Sequence, residues 1–75
     1  MENARTSEII KARCKERGIS VAVILRECGI YKSLIYDLEK RDRTPSAEVL
    51  EKIADSLDCS VDYLLGRTDM PDINR

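Results

Sequence analysis

Three cysteines, at positions 14, 28 and 59, and a complete lack of histidine limit the chemistry open to this chain. No C-x-x-C pair occurs, so a structural zinc site has no support. An odd number of thiols at wide spacing also makes a poor disulfide framework. The cysteines read as reduced, small apolar groups, which suits a cytoplasmic location. Without histidine the usual general base near neutral pH is missing, and no other activator lies close to a thiol. An enzyme is not expected, nor a metal or a cofactor. The remaining chemistry is that of donors and acceptors. Lys32, Ser33, Tyr36, Asp37 and Lys40 fall on one face of a helix, since i, i+4 and i+1, i+5 positions lie together at about 3.6 residues per turn. Lysine donates, serine donates or accepts, and aspartate accepts, so such a row can read a hydrogen-bonding pattern.

A helix must present that row, and the rest of the chain predicts helices to hold it. The first spans about Thr6 to Arg17, with Ile9, Ile10 and Cys14 on one side and Gly18 as its stop. Ser20 caps a second helix over about 21–27, whose inward set is Ile24, Leu25 and Cys28. Its β-branched Val21, Val23 and Ile24 leave a strand as the local alternative. Gly29 punctuates the chain, and a third helix follows over about 31–40. There Ile35 and Leu38 point inward with Ile30 and Leu34. Arg41 to Pro45 is a loop. Ser46 caps a fourth helix, about Ala47 to Leu57, in which Val49, Leu50, Ile53, Ala54 and Leu57 form a clean stripe. Ser60 caps a short last helix to Leu65, stopped by Gly66. Residues 67–75 read as an extended or disordered tail unless a partner holds them.

The 75 residues allow one small domain, 1–66, and leave no room for a separate effector domain. A composition 43% hydrophobic and 36% charged excludes collagen-like and low-complexity classes. The longest apolar run, Val21 to Leu25, is far short of the roughly 18 residues of a membrane span. The polar start has no apolar stretch behind it that would mark a secretory signal. The net charge of −1 hides an asymmetry: residues 1–45 carry +3 and residues 46–75 carry −4. A domain with one phosphate-facing side would show such a division, and so would a chance arrangement in a highly charged chain.

Two short helices joined through Cys28-Gly29-Ile30 make a helix-turn-helix arrangement, and a polar second helix fits the major groove of DNA. The sequence also resembles a known family. Gly18-Ile19-Ser20, Ile24 to Ile30, Ile35, Leu38-Glu39, Pro45-Ser46, Val49-Leu50, Ile53-Ala54, Leu57 and Val61 to Gly66 are similar to the Cro and lambda-repressor-like, or XRE, helix-turn-helix regulators. The likeness covers about residues 6–66. It implies a compact all-α five-helix domain, a recognition helix over 31–40, double-stranded DNA as partner and frequent binding as a homodimer. The closing stretch Ser60 to Asp69 looks particularly like small regulators of Gram-positive bacteria and their phages, so a phage- or prophage-type repressor is expected. Carried over residue by residue, it implies base contacts from Lys32, Ser33, Tyr36 and Asp37. Phosphate contacts fall to Ser20, Tyr31, Lys40, Arg41 and Arg43. For the two tyrosines, packing with the hydroxyl in water stands as an equal alternative.

The chain departs from the family pattern at four places. Val21 replaces a glutamine, Leu25 a small alanine, Arg41 a glycine, and Cys14 the first-helix arginine that would pair with Glu39. Leu25 must splay the two helices or find a gap. Arg13, one place earlier, is the candidate partner of Glu39. A second reading follows from Val21, Leu25 and Asp37: a protein-interaction module, such as an antitoxin or accessory protein, on the same scaffold. An apolar patch of Leu64, Leu65, Met70 and Ile73 is the expected dimer contact.

Overall fold

Three serines start three of the helices by one device. The Oγ atoms of Ser20, Ser46 and Ser60 accept from the backbone N–H groups of Val23, Val49 and Tyr63, at 3.2, 3.2 and 3.0 Å. Each bond satisfies a donor that the first helical turn leaves unpaired. The computed structural model describes residues 2–71. Its helices are α1 (Asn3–Arg17), α2 (Val21–Glu27), α3 (Leu34–Glu39), α4 (Ala47–Ser56) and α5 (Val61–Leu64), and the described residues contain no strand. The protein is thus an all-α, five-helix domain. Among the described residues no helix is long and apolar enough to cross a membrane.

The first helix ends as its sequence requires. Gly18 takes φ +70, its N–H donates to the Lys15 carbonyl, and the Ile19 N–H donates to the Cys14 carbonyl. This left-handed stop returns the chain toward α1 and starts α2 against it. α1 lies against α2, α3 and α5, while α4 lies against α2 and α5. The core collects Ile10 and Cys14 from α1, Ile24 and Leu25 from α2, Leu34 and Leu38 from α3, and Ile53 and Leu57 from α4 and its end. Cys14 and Cys59 are buried free thiols, and burial pushes both above the usual thiol range, which keeps them neutral and unreactive. Cys28 is only half-buried, with Sγ 3.0 Å from Ser56 Oγ.

Several expectations need correction. The third helix begins at Leu34, not Tyr31. Ile30 is drawn into the core and its N–H donates to the Leu25 carbonyl at 2.8 Å, so Tyr31–Ser33 must turn before a helix can start. Leu25 is buried, 4% exposed, on the inner side of α2. The α2 and α3 backbones do not approach closely, and a hollow of about 620 Å³ remains beside Leu25, lined also by Ala22, Arg26, Ile30 and Lys32. Glu39 pairs with α1 through Lys11 and Ser7, whereas Arg13 donates to the Leu57 and Asp58 carbonyls. Leu64 is wholly buried and cannot form part of a surface patch; Met70 is 64% exposed, and Ile73 lies outside the described residues. The tail is not loose up to Pro71, whose carbonyl accepts from the Ser60 N–H at 3.0 Å.

Candidate nucleic-acid interface

The polar row is built on a turn and a helix rather than on one long helix. Tyr31, Lys32 and Ser33 occupy the turn between α2 and α3, all exposed, with Tyr31 49% open. Tyr36 on α3 is 54% exposed, and Lys40, just past the helix, is also open to solvent. Neither tyrosine packs into the interior. Asp37 does not share this outer face. It is only 4% exposed, which corrects the expected placement. The reason is spacing: Asp37 lies three residues after Leu34 and one before Leu38, on the same buried stripe of α3.

The loop that follows α3 adds two cations and is braced from three sides. Arg41, Asp42 and Arg43 are exposed, while Pro45 is buried and anchors the far end. The Arg43 N–H donates to the Asp37 carbonyl at 3.0 Å. Asn3, buried at the start of α1, donates through Nδ2 to Asp42 Oδ1 at 2.9 Å and to Thr44 Oγ1 at 3.3 Å. Below them Ser7 Oγ and Lys11 Nζ donate to Glu39 Oε2, at 2.8 and 2.6 Å. These two donors, Lys11 foremost, hold the Glu39 carboxyl below its ordinary range. The loop takes its left-handed residue at Asp42, φ +51, which frees position 41 to carry an arginine where a glycine was expected.

Charge and space follow this geometry. Tyr31, Ser33, Asp37, Arg41, Arg43 and Ser46 border one polar concavity of about 420 Å³. Lys32, Lys40 and Arg43 enter none of the ion pairs among the described residues. Ser20 is exposed at the start of α2. Its oxygen already accepts from Val23, which leaves its own proton to donate. Val21 packs partly against the core instead of projecting outward. The opposite charge lies elsewhere, where Glu51, Asp55 and Asp62 border a second concavity with Ser60. The halves of the sequence are not wholly separated, since Arg17 of α1 pairs with Asp58 at 3.7 Å. Among the described residues no group of acidic or thiol side chains could hold a metal ion.

Asn3, Ser7, Lys11, Asp42 and Thr44 brace this surface, and none of them stands out in the sequence. Their partners lie about 30 to 40 positions away, and no local spacing marks such a pair.

A hydroxyl-bearing turn and short helix, followed by a braced basic loop, invites comparison with known proteins. The model of the Helix-turn-helix family matches residues 10–64, which includes α2, the turn and α3. The chain belongs to the XRE-type helix-turn-helix family. Two relatives are HTH-type transcriptional regulators called SinR. That of Bacillus licheniformis is 38% identical over 61 residues, covering 80% of this chain and 55% of its own. That of Bacillus subtilis (strain 168) is 39% identical over 57 residues, covering 75% and 51%. The chain thus spans about half the length of these curated relatives. No solved structure matches it.

Proposed function

We propose that this helix-turn-helix domain binds double-stranded DNA in a sequence-specific manner and acts as a transcriptional repressor of the phage or prophage type. One observation carries the reading. The side chains suited to base edges, Lys32, Ser33 and Tyr36, stand exposed beside a braced loop bearing Arg41 and Arg43. Lysine matches guanine O6 and N7, serine accepts or donates, and tyrosine meets the thymine methyl group or a phosphate. Ser20, Tyr31, Lys40, Arg41 and Arg43 supply contacts to the sugar-phosphate backbone. Asp37 no longer belongs among the base readers, because its side chain is enclosed. A two-fold homodimer would read two half-sites about one helical turn apart.

The deciding experiment is selection of bound duplexes from a random pool at moderate salt, followed by a salt titration of the winner. An enriched motif with paired half-sites, and affinity falling steeply with salt, is the expected result. The second reading, a protein-interaction module, has the apolar hollow beside Leu25 in its favour. It predicts no enriched sequence and a shallow salt dependence.

A further inference from the structure

Asp37 is an anomaly. Its side chain is 6% exposed, and Oδ1 is buried without a hydrogen-bond partner. Enclosing a carboxylate so incompletely satisfied costs stability, so the position is not explained by folding. The nearest cation is Arg41, whose Nη1 lies 3.6 Å from that same Oδ1. Arg41 is itself 59% exposed, and its guanidinium also sits 5.5 Å over the Tyr36 ring. Two neighbours therefore hold one side of a planar group that carries five N–H donors. More than half of the Arg41 side chain stays open to solvent. The Asp37 carbonyl also fixes the next cation in the loop, through the Arg43 N–H.

We propose that Asp37 is a positioning residue for phosphate binding. It holds the Arg41 guanidinium from inside the fold, so that the outward N–H groups of Arg41 meet a backbone phosphate of the duplex. The proposal rests on the DNA-binding reading above and gives the enclosed carboxylate a role there. A guanidinium fixed on one edge loses less freedom when a phosphate engages the other. Asp37 thus acts through Arg41 and touches no base.

The test compares wild type, Asp37→Asn, Arg41→Ala and the double variant on the duplex selected above, over a range of salt. Asparagine keeps the shape and removes the charge. Asp37→Asn is expected to bind about tenfold more weakly. The slope of log affinity against log salt should flatten by about one, the mark of one lost phosphate contact. Thermal stability should be unchanged or higher, which a purely structural role would not allow. The double variant should bind no worse than Arg41→Ala alone, because the two residues serve one contact. Unchanged affinity in Asp37→Asn, or losses that add in the double variant, overturns the proposal. If Asp37→Asn unfolds, Arg41→Gln carries the test: it must flatten the slope by the same step, and an unaltered slope overturns the proposal. Wild type that binds no duplex defeats the DNA reading itself. Wild type that binds while Asp37→Asn matches it defeats only the role of Asp37.

Discussion

On the proposed reading, single side chains divide into those that read bases and those that hold phosphates. Replacing Lys32 or Ser33 by alanine is expected to relax discrimination at one or two base pairs, by about 1–3 kcal/mol each. Arg43→Ala should weaken every sequence alike and flatten the salt slope by about one. Binding to a panel of single-base operator variants separates the two behaviours. If Lys32→Ala lowers all affinities equally, its role is phosphate contact and not reading. The polar residues were legible one at a time because residue type limits what each can donate or accept. Asp37 was misplaced because type says nothing of burial: a carboxylate at an apparently outward position turned out to be enclosed. Thr6 carries a second buried polar atom without a partner among the described residues: the side chain is fully buried and its Oγ1 is unbonded. Thr6→Val keeps the shape and removes that hydroxyl, so stability should rise by up to about 1 kcal/mol. A fall in the unfolding midpoint on this exchange would show that Oγ1 has a partner after all.

Between elements, the tie from α1 to α3 sets where the recognition surface sits. Lys11 and Ser7 lower the Glu39 carboxyl by hydrogen bonds that favour its charged form. A carboxyl depressed on folding contributes stability that is whole above its unfolded value, near pH ~4.3, and fades as pH falls through the folded one. Glu39→Gln has no such titration. The stability gap between wild type and Glu39→Gln should therefore hold between pH ~7 and ~5 and shrink toward pH ~3. Thermal unfolding at steps across that range checks it, and a gap independent of pH would contradict the assignment. Elements were well read where local rules decide them. The serine caps and the Gly18 stop are short-range devices, and the apolar stripe of α4 repeats within its own length. The start of α3 was misjudged because Ile30 answers to the core and not to its neighbours in sequence. The partner of Glu39 was misjudged for the same kind of reason, since a choice between Lys11 and Arg13 depends on how α1 is rotated against α3.

At the scale of the whole molecule one small core supports everything. Leu64 lies at its centre, unexposed, where α5 closes on α1 and α4. Leu64→Ala should cost about 2–5 kcal/mol. That is a large share of the roughly 5–15 kcal/mol by which single domains are stable. Leu25→Ala should cost less, although Leu25 is also buried, because the hollow beside it lets α2 settle inward. Chemical denaturation of the two variants gives the ranking directly, and equal losses would mean that α2 is fixed in place. The five-helix architecture could be read from pattern and resemblance together. The spacing of α2 and α3 could not be read in advance, since one added side chain can move a helix or fill a void.

The bond from the Ser60 N–H to the Pro71 carbonyl fixes Pro71 beside the start of α5. α4 stands between that point and the basic loop. Ser46 and Val49, at its beginning, border the loop, and Glu51 and Asp55, further along, border Ser60. A reporter or an added oligomerisation module joined behind residue 71 would set out from acidic ground that repels a duplex. Attachment at that end should leave operator access open, whereas a graft near Asn3 would disturb the very clasp that seats the basic loop.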